Sequence, residues 1–266
     1  MDLTSIRPTG ETFPPLKALI HGVQGVGKTT LACTFEAPIL VPVEDGLAAI
    51  QGVPAFPRLT THQDAVDVIQ ALHGEHPYKT VVVDSLDWME PLIHAQTCAV
   101  HAMGNIEEFG YGKGYIAAGA IWRFLLGGLD SLRLTRGMNI VLIAHTEIKR
   151  FDAPDVDPYD RYQIKLHKMA AALFEEWADL VLFVNYKTSV RSVEGSFGKS
   201  LKKGVGTGDR VIYTSERPSH KAKSRWALPA EIFIGQDPTW AGLHSALFDA
   251  TQGRYPMPSN LSTVKE

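Results

Sequence analysis

Short apolar runs recur along the chain at intervals that leave room for a helix between neighbours. Leu16 to Ile20, Ile39 to Val43, Thr80 to Val83, Ile140 to Ala144 and Leu180 to Val184 are near-continuously apolar, which predicts strands buried on both faces. Thr30 to Phe35 and Thr61 to Leu72 read as helices, the second with Ala65, Val68, Ile69 and Leu72 on one face. A longer helical stretch follows Asp84 and Ser85 as far as about Leu134, interrupted by the glycine-rich segment Gly104 to Gly114. Strands alternating with helices predict an α/β domain built on a mainly parallel sheet flanked by helices. Beyond Tyr186 the pattern changes. Val190 to Val193, Arg210 to Thr214 and Glu231 to Ile234 predict antiparallel strands, with a basic hairpin from Lys187 to Lys203 toward the C-terminus. Pro8, Gly10, Pro14 and Pro15 set residues 1–14 apart as an extension, residues 15–250 form one domain, and 251–266 are a tail that frays from Tyr255.

Composition narrows the classes. The 266 residues are 45% hydrophobic and 21% charged, ordinary for a globular protein, and the net charge of −3 excludes a chain coated in basic residues. A nucleic-acid site would have to be a local patch. Cys33 and Cys98 stand far apart without metal spacing, as in a reducing compartment. His94 with His101, and His73 with His76, lack a third ligand at zinc-site spacing, so no structural metal is expected. The opening residues do not read as a signal peptide and no run approaches bilayer length, so a cytoplasmic protein with no membrane partner is expected.

The most informative segment is Gly22-Val23-Gln24-Gly25-Val26-Gly27-Lys28-Thr29, a G-x-x-x-x-G-K-T phosphate-binding loop with a strand before it and a helix, opening at Thr30, after it. Its backbone N–H groups would cradle a nucleotide's phosphates, reinforced by the helix N-terminus. Lys28 would reach the β- and γ-phosphates, and the Thr29 hydroxyl would hold Mg²⁺. Val81-Val82-Val83-Asp84 is an apolar strand delivering a carboxylate at its carboxyl end, the Walker B pattern, with Asp84 as second metal partner and Ser85 as an alternative cap for the next helix. Glu44 ends the strand after the phosphate-loop helix and is the candidate to polarise an attacking water, Asp45 being its nearest rival. His145 ends a further strand and is a candidate γ-phosphate sensor. Lys223 and Arg225 lie in a stretch with no acid between Arg217 and Arg225. They either stay solvated or reach a neighbouring subunit's γ-phosphate, where a cation stabilises charge developing in the transition state.

These segments resemble a RecA-type ATPase, and in particular the compact RecA-like proteins of bacteriophages, including the Sak-four type of single-strand annealing recombinase. The resemblance rests on Gly22 to Thr29, Pro42 to Gly46, Val81 to Ser85, Asn139 to His145, Gly204 to Thr214 and Ala222 to Pro229. The Lys223-x-Arg225 spacing is also similar to the trans-acting pair of DnaB-type helicases. What the resemblance implies is a RecA-like P-loop core that hydrolyses ATP with Mg²⁺. It would act as a homo-oligomer, ring or filament, on single-stranded DNA in recombination, annealing or replication of a phage in its bacterial host. A single-strand-binding protein is a candidate assistant. No separate polymerisation module or added DNA-gathering domain of the bacterial RecA kind is recognisable.

In RecA-like proteins two loops contact DNA, corresponding here to Gly104–Gly114 and Thr146–Lys165. Candidate contacts are Lys113 in the first and Lys149, Arg150 and Arg161 in the second, with Phe151, Tyr159 and Tyr162 available for base stacking. The second loop's acids bring it close to neutrality. The hairpin is more basic, with Lys187, Arg191, Lys199, Lys202 and Lys203 against Glu194 alone. Two rivals stand beside this reading: a nucleotide-regulated scaffold or loader acting on protein partners, and a P-loop phosphotransferase. The second would need an arginine-rich lid, whereas the basic stretch here falls on the hairpin.

Overall fold

The computed structural model describes residues 2, 10, 13–154, 156–194 and 200–256, with the backbone alone described at 156, 188–194 and 200–207. Among the described residues nine strands form one sheet system: β1 (Lys17–Gly22), β2 (Pro38–Pro42), β3 (Thr80–Asp84), β4 (Asn139–Ala153), β5 (Val156–Ile164), β6 (Leu180–Glu194), β7 (Ser200–Tyr213), β8 (Lys223–Ser224) and β9 (Glu231–Gly235). Their order is β2-β3-β4-β1-β6-β7-β9, with β5 paired to β4 and β8 to β6. The strands from β2 to β6 along this order are mutually parallel, and β7 runs antiparallel to both β6 and β9. The expected α/β class, a mainly parallel core with antiparallel C-terminal strands, is what the chain adopts.

Each apolar run is needed because the sheet is covered on both sides, and alternate residues enter different cores. Leu19, Val81, Val83, Ile140 and Leu142 pack under α2 (His62–Ala71), α3 (Leu86–His101), α4 (Lys113–Arg136) and α5 (Lys168–Trp177). Ala18, Ile20, Val82, Val141 and Ile143 pack on the opposite face under α1 (Lys28–Ala32) and α6 (Ala241–Ala250). There Phe35 stacks on Trp240 with ring centroids 3.9 Å apart. Helix α2 starts where the sequence indicates, with Thr61 and Asp64 forming a reciprocal capping box.

Four expectations change. Helix α1 is only five residues long, and the chain continues to Phe35 in tight turns. The segment Thr146–Lys165 is a β-hairpin, because β4 runs on to Ala153 and pairs antiparallel with β5 from Thr146↔Ile164 to Ala153↔Val156. Within the expected extension, Phe13 packs against Trp226 and Tyr255, 5.1 and 4.9 Å between centroids. Tyr255, expected at the start of the frayed tail, is buried in the α1/α6 core. The rest of residues 1–12, apart from 2 and 10, and all of 257–266 lie outside the described residues.

The two strands that flank β1 share one property. Both β4 and β6 pair with β1 through the residue that ends it (Gly22↔His145, Gly22↔Val184), and both then run past the sheet edge into hairpins.

Candidate active site

The phosphate loop is shaped by its glycines for separate reasons. Gly22 is the last residue of β1, and a Cβ there would stand 2.2 Å from the Val184 carbonyl oxygen, so no side chain fits. Gly25 and Gly27 take φ of 74° and 90°, the left-handed region open to glycine. The side chain of Val26 is buried in the core and Val23 packs against it, so these two residues offer a ligand only backbone. The Tyr186 hydroxyl donates to the Gly25 carbonyl at 3.0 Å, bracing the loop from β6. Lys28 is buried at the mouth, its Nζ donating to the Gly22 and Val23 carbonyls, each at 3.1 Å. Thr29 Oγ1 donates to Asp84 Oδ2 at 2.6 Å.

The carboxyl ends of β2 and β3, and the point of β4 where it parts from β1, bring Glu44, Asp84 and His145 to the same cleft. It has a volume of about 610 Å³, and Gln24, Gly25, Gly27, Lys28, Thr29 and Thr30 form its loop side. The backbone N–H groups of Val43 and Glu44 donate to the Asp84 carbonyl, at 2.6 and 3.4 Å, which locks β2 to β3 at this point. The residue that sequence reasoning misses is Asp87, in the first turn of α3. Its Oδ1 accepts from the His145 backbone N–H at 3.0 Å, and its Oδ2 lies 3.0 Å from His145 Nδ1. A carboxylate can only accept, so Nδ1 carries the proton and Nε2 points toward Glu44 Oε1, 4.0 Å away. Asp45, the rival of Glu44, also lines the cleft, and Gly46, Ala49, Ile50, Trp88 and Lys165 form the rest of the wall.

Burial and crowding set the charges. Burial lowers the Lys28 pKa, opposed by Asp84, Asp87 and Glu44. Burial also raises the Asp84 carboxyl, although the Thr29 hydrogen bond and Lys28 oppose it. Glu44 is raised as well, first by burial and further by Asp84 and Asp87, with His145 pulling the other way. At Asp87 burial pushes upward, but the hydrogen bonds from His145 outweigh it and hold the carboxyl below its ordinary range.

Three carboxylates, Glu44, Asp84 and Asp87, therefore face Lys28, Lys165 and His145, with Lys165 Nζ 3.9 Å from Asp87 Oδ2. The donor set fits Mg²⁺ with a triphosphate: a hydroxyl and a carboxylate as hard oxygen ligands, with the remaining ligands left to phosphates and water. Among the described residues no group of three or more His, Cys, Asp or Glu side chains is arranged to hold a metal by itself.

The other candidate residues lie elsewhere. Lys223 pairs through β8 with Val181, which is level with Leu19, three rungs back from Gly22, roughly 10 Å at strand rise. Its Nζ donates to the Glu175 and Glu176 carbonyls at 2.6 and 3.3 Å, capping the end of α5. Arg225 Nε meets Asp179 Oδ1 at 2.9 Å. Neither cation is simply solvated, and neither reaches its own chain's cleft. Arg161, expected on the DNA-facing surface, is 2% exposed, bonded to Glu216 at 2.8 Å and stacked over Phe151. That burial removes it from any surface. Lys113, Lys149, Arg150 and Lys187 are exposed, although Lys149 pairs with Glu147 at 2.7 Å and Lys187 lies over Phe233. Lys199 lies outside the described residues, as do the side chains of Arg191, Lys202 and Lys203.

No curated protein matches the sequence. Among solved structures, a RadB recombinase is similar at 15% identity with a TM-score of 0.43, covering 85% of this chain and 90% of that one. No helix among the described residues is long and apolar enough to cross a membrane. The AAA domain family matches residues 14–226, which contain the phosphate loop, Glu44, Asp84, Asp87 and His145. The chain belongs to this family of AAA-domain P-loop ATPases, with the ATP binding that membership carries.

Proposed function

We propose that this protein is a Mg²⁺-dependent ATPase that acts as an oligomer on single-stranded DNA, in phage recombination, annealing or replication. Lys28 and the loop N–H groups hold the triphosphate, Thr29 and Asp84 hold the metal, and Glu44 takes the proton from an attacking water. His145, kept in one tautomer by Asp87, presents Nε2 to the region where the γ-phosphate would lie. Bound Mg²⁺ would neutralise charge developing on the phosphates. The observation that carries the DNA part is the placement of the two hairpins. Both grow directly from the strands that flank the phosphate loop, one rooted at His145 and the other at Tyr186, which bonds the loop itself. A ligand along those hairpins and a nucleotide in the cleft would share the same strand ends. Lys223 and Arg225 remain candidates for a neighbour's site, for which they would exchange their contacts with α5 and Asp179.

A second reading, a nucleotide-regulated scaffold or loader for protein partners, draws support from the β4–β5 hairpin. Its cations are matched internally or nearby: Lys149 with Glu147, Arg150 with Asp152 and Arg161 with Glu216. The two readings separate on fluorescence anisotropy of a labelled single-stranded oligonucleotide, titrated with the full chain. Binding that strengthens at least tenfold with a non-hydrolysable ATP analogue and weakens with salt supports the DNA reading. No binding at low salt with either nucleotide supports the scaffold.

A further inference from the structure

One buried polar residue is not used by the chemistry above. His21 lies in the middle of the sheet, one residue before the phosphate loop, and is fully buried directly after the apolar Ala18, Leu19 and Ile20. Its Nε2 stands 2.9 Å from the Lys221 carbonyl and its Nδ1 stands 3.1 Å from Thr146 Oγ1. A carbonyl can only accept, so Nε2 carries the proton, Nδ1 is the acceptor, and the Thr146 hydroxyl donates to it. Burial pushes its pKa down to about 4, which keeps this neutral tautomer at physiological pH. Phe183 packs on the ring at 5.1 Å and also stacks on Tyr162 and His220.

The two partners belong to different elements. Thr146 follows His145 at the root of the β4–β5 hairpin. Lys221 opens the segment that carries Lys223 and Arg225. The same hairpin meets that segment again: Tyr162 donates its N–H to the Ser219 carbonyl at 2.9 Å, and Lys221 donates to the Tyr162 carbonyl at 3.4 Å.

We propose that His21 is a positioning residue that links the root of the β4–β5 hairpin to the Lys221–Arg225 segment, so that a displacement of His145 and Thr146 by bound nucleotide is passed to Lys223 and Arg225. The proposal rests on the reading of the cleft as an ATP site. Its physical basis is a pair of hydrogen bonds with fixed donor and acceptor roles that join the half-buried Thr146 and Lys221 through a fully buried ring, which itself has no water to fall back on.

Hydrogen exchange of the full chain, with and without a non-hydrolysable ATP analogue and Mg²⁺, tests it. In the wild type the analogue is expected to slow exchange about tenfold across residues 22–29, 145–147 and 219–225. In His21→Leu the slowing at 22–29 is retained and that at 219–225 disappears. In His21→Gln, whose amide reaches about as far as Nε2, it returns at least in part. Thr146→Val keeps His21 and the local volume while removing the other link, so it tests the same connection if the His21 variants do not fold; loss of the slowing at 219–225 is expected there too. Slowing at 219–225 that persists in His21→Leu or Thr146→Val, or that is absent from the wild type while 22–29 is protected, overturns the link alone. No protection at 22–29 in the wild type overturns the ATP site and the link together.

Discussion

Glu44→Gln is expected to lower kcat for ATP hydrolysis by about 10²–10⁴-fold while leaving nucleotide affinity nearly unchanged. The substitution keeps the size of the side chain and removes only its capacity to take a proton. Glu44 is held in place for proton transfer, since its own N–H and that of Val43 are tied to Asp84, and His145 Nε2 stands 4.0 Å from its carboxylate. The pH profile supplies a second signature. A base works only when deprotonated, so activity is present above its pKa and is lost as pH falls through it. Burial, with the neighbouring Asp84 and Asp87, raises Glu44, so the acid limb of kcat sits above the range of an ordinary glutamate. In Glu44→Gln that limb disappears from the residual activity. The corresponding amide change at Asp45, which lines the same cleft but is exposed, is expected to cost less than about threefold. Equal losses in the two variants would show that Glu44 is not the base.

Gly22→Ala is expected to be the most damaging single methyl group that can be added to the loop. The new Cβ would lie 2.2 Å from a backbone oxygen, that of Val184 in the paired strand β6, which cannot rotate away. Relief requires β1 and β6 to separate at the point where both meet the phosphate loop. Overpacking of this kind costs about 3 kcal/mol, enough to lower Tm by roughly 6 °C or more. Gly25→Ala makes an instructive comparison, since nothing lies within 4 Å of its Cβ and only the φ of 74° is at stake. That costs about 1–2 kcal/mol. Thermal unfolding of the two variants should therefore rank them with Gly22→Ala lower, and the reverse order would mean that the β1–β6 register is different.

Much of the cleft can be read from the chain because each residue of it ends an apolar run. Gly22, Glu44, Asp84 and His145 come at the ends of β1, β2, β3 and the apolar part of β4, and a parallel sheet collects its strands' carboxyl ends at one edge. Asp87 escapes the same logic because it lies on a helix. Its signal is an acid in a helix's first turn, which reads as a favourable dipole interaction before it reads as a partner for His145. Lys223 and Arg225 look free in the sequence because no acid lies near them there. Their partners, the end of α5 and Asp179, come from about 45 residues upstream and depend on the β6–β8 pairing. Arg161 is hidden for the same reason, since Glu216 reaches it only in the folded chain. The β4–β5 hairpin reads as a loop because charged residues stand on both of its faces, leaving no apolar side to report a period of two. His21 is masked by the apolar strand around it.

The proposed function joins ATP hydrolysis in this cleft to engagement of single-stranded DNA by the hairpins beside it. Steady-state ATP hydrolysis by the full chain in Mg²⁺ at low salt, with and without single-stranded DNA, tests both halves at once. The rate is expected to rise with DNA and to collapse in Glu44→Gln whether or not DNA is present. A rate indifferent to DNA, from a protein that retains no DNA in a binding assay, would contradict it.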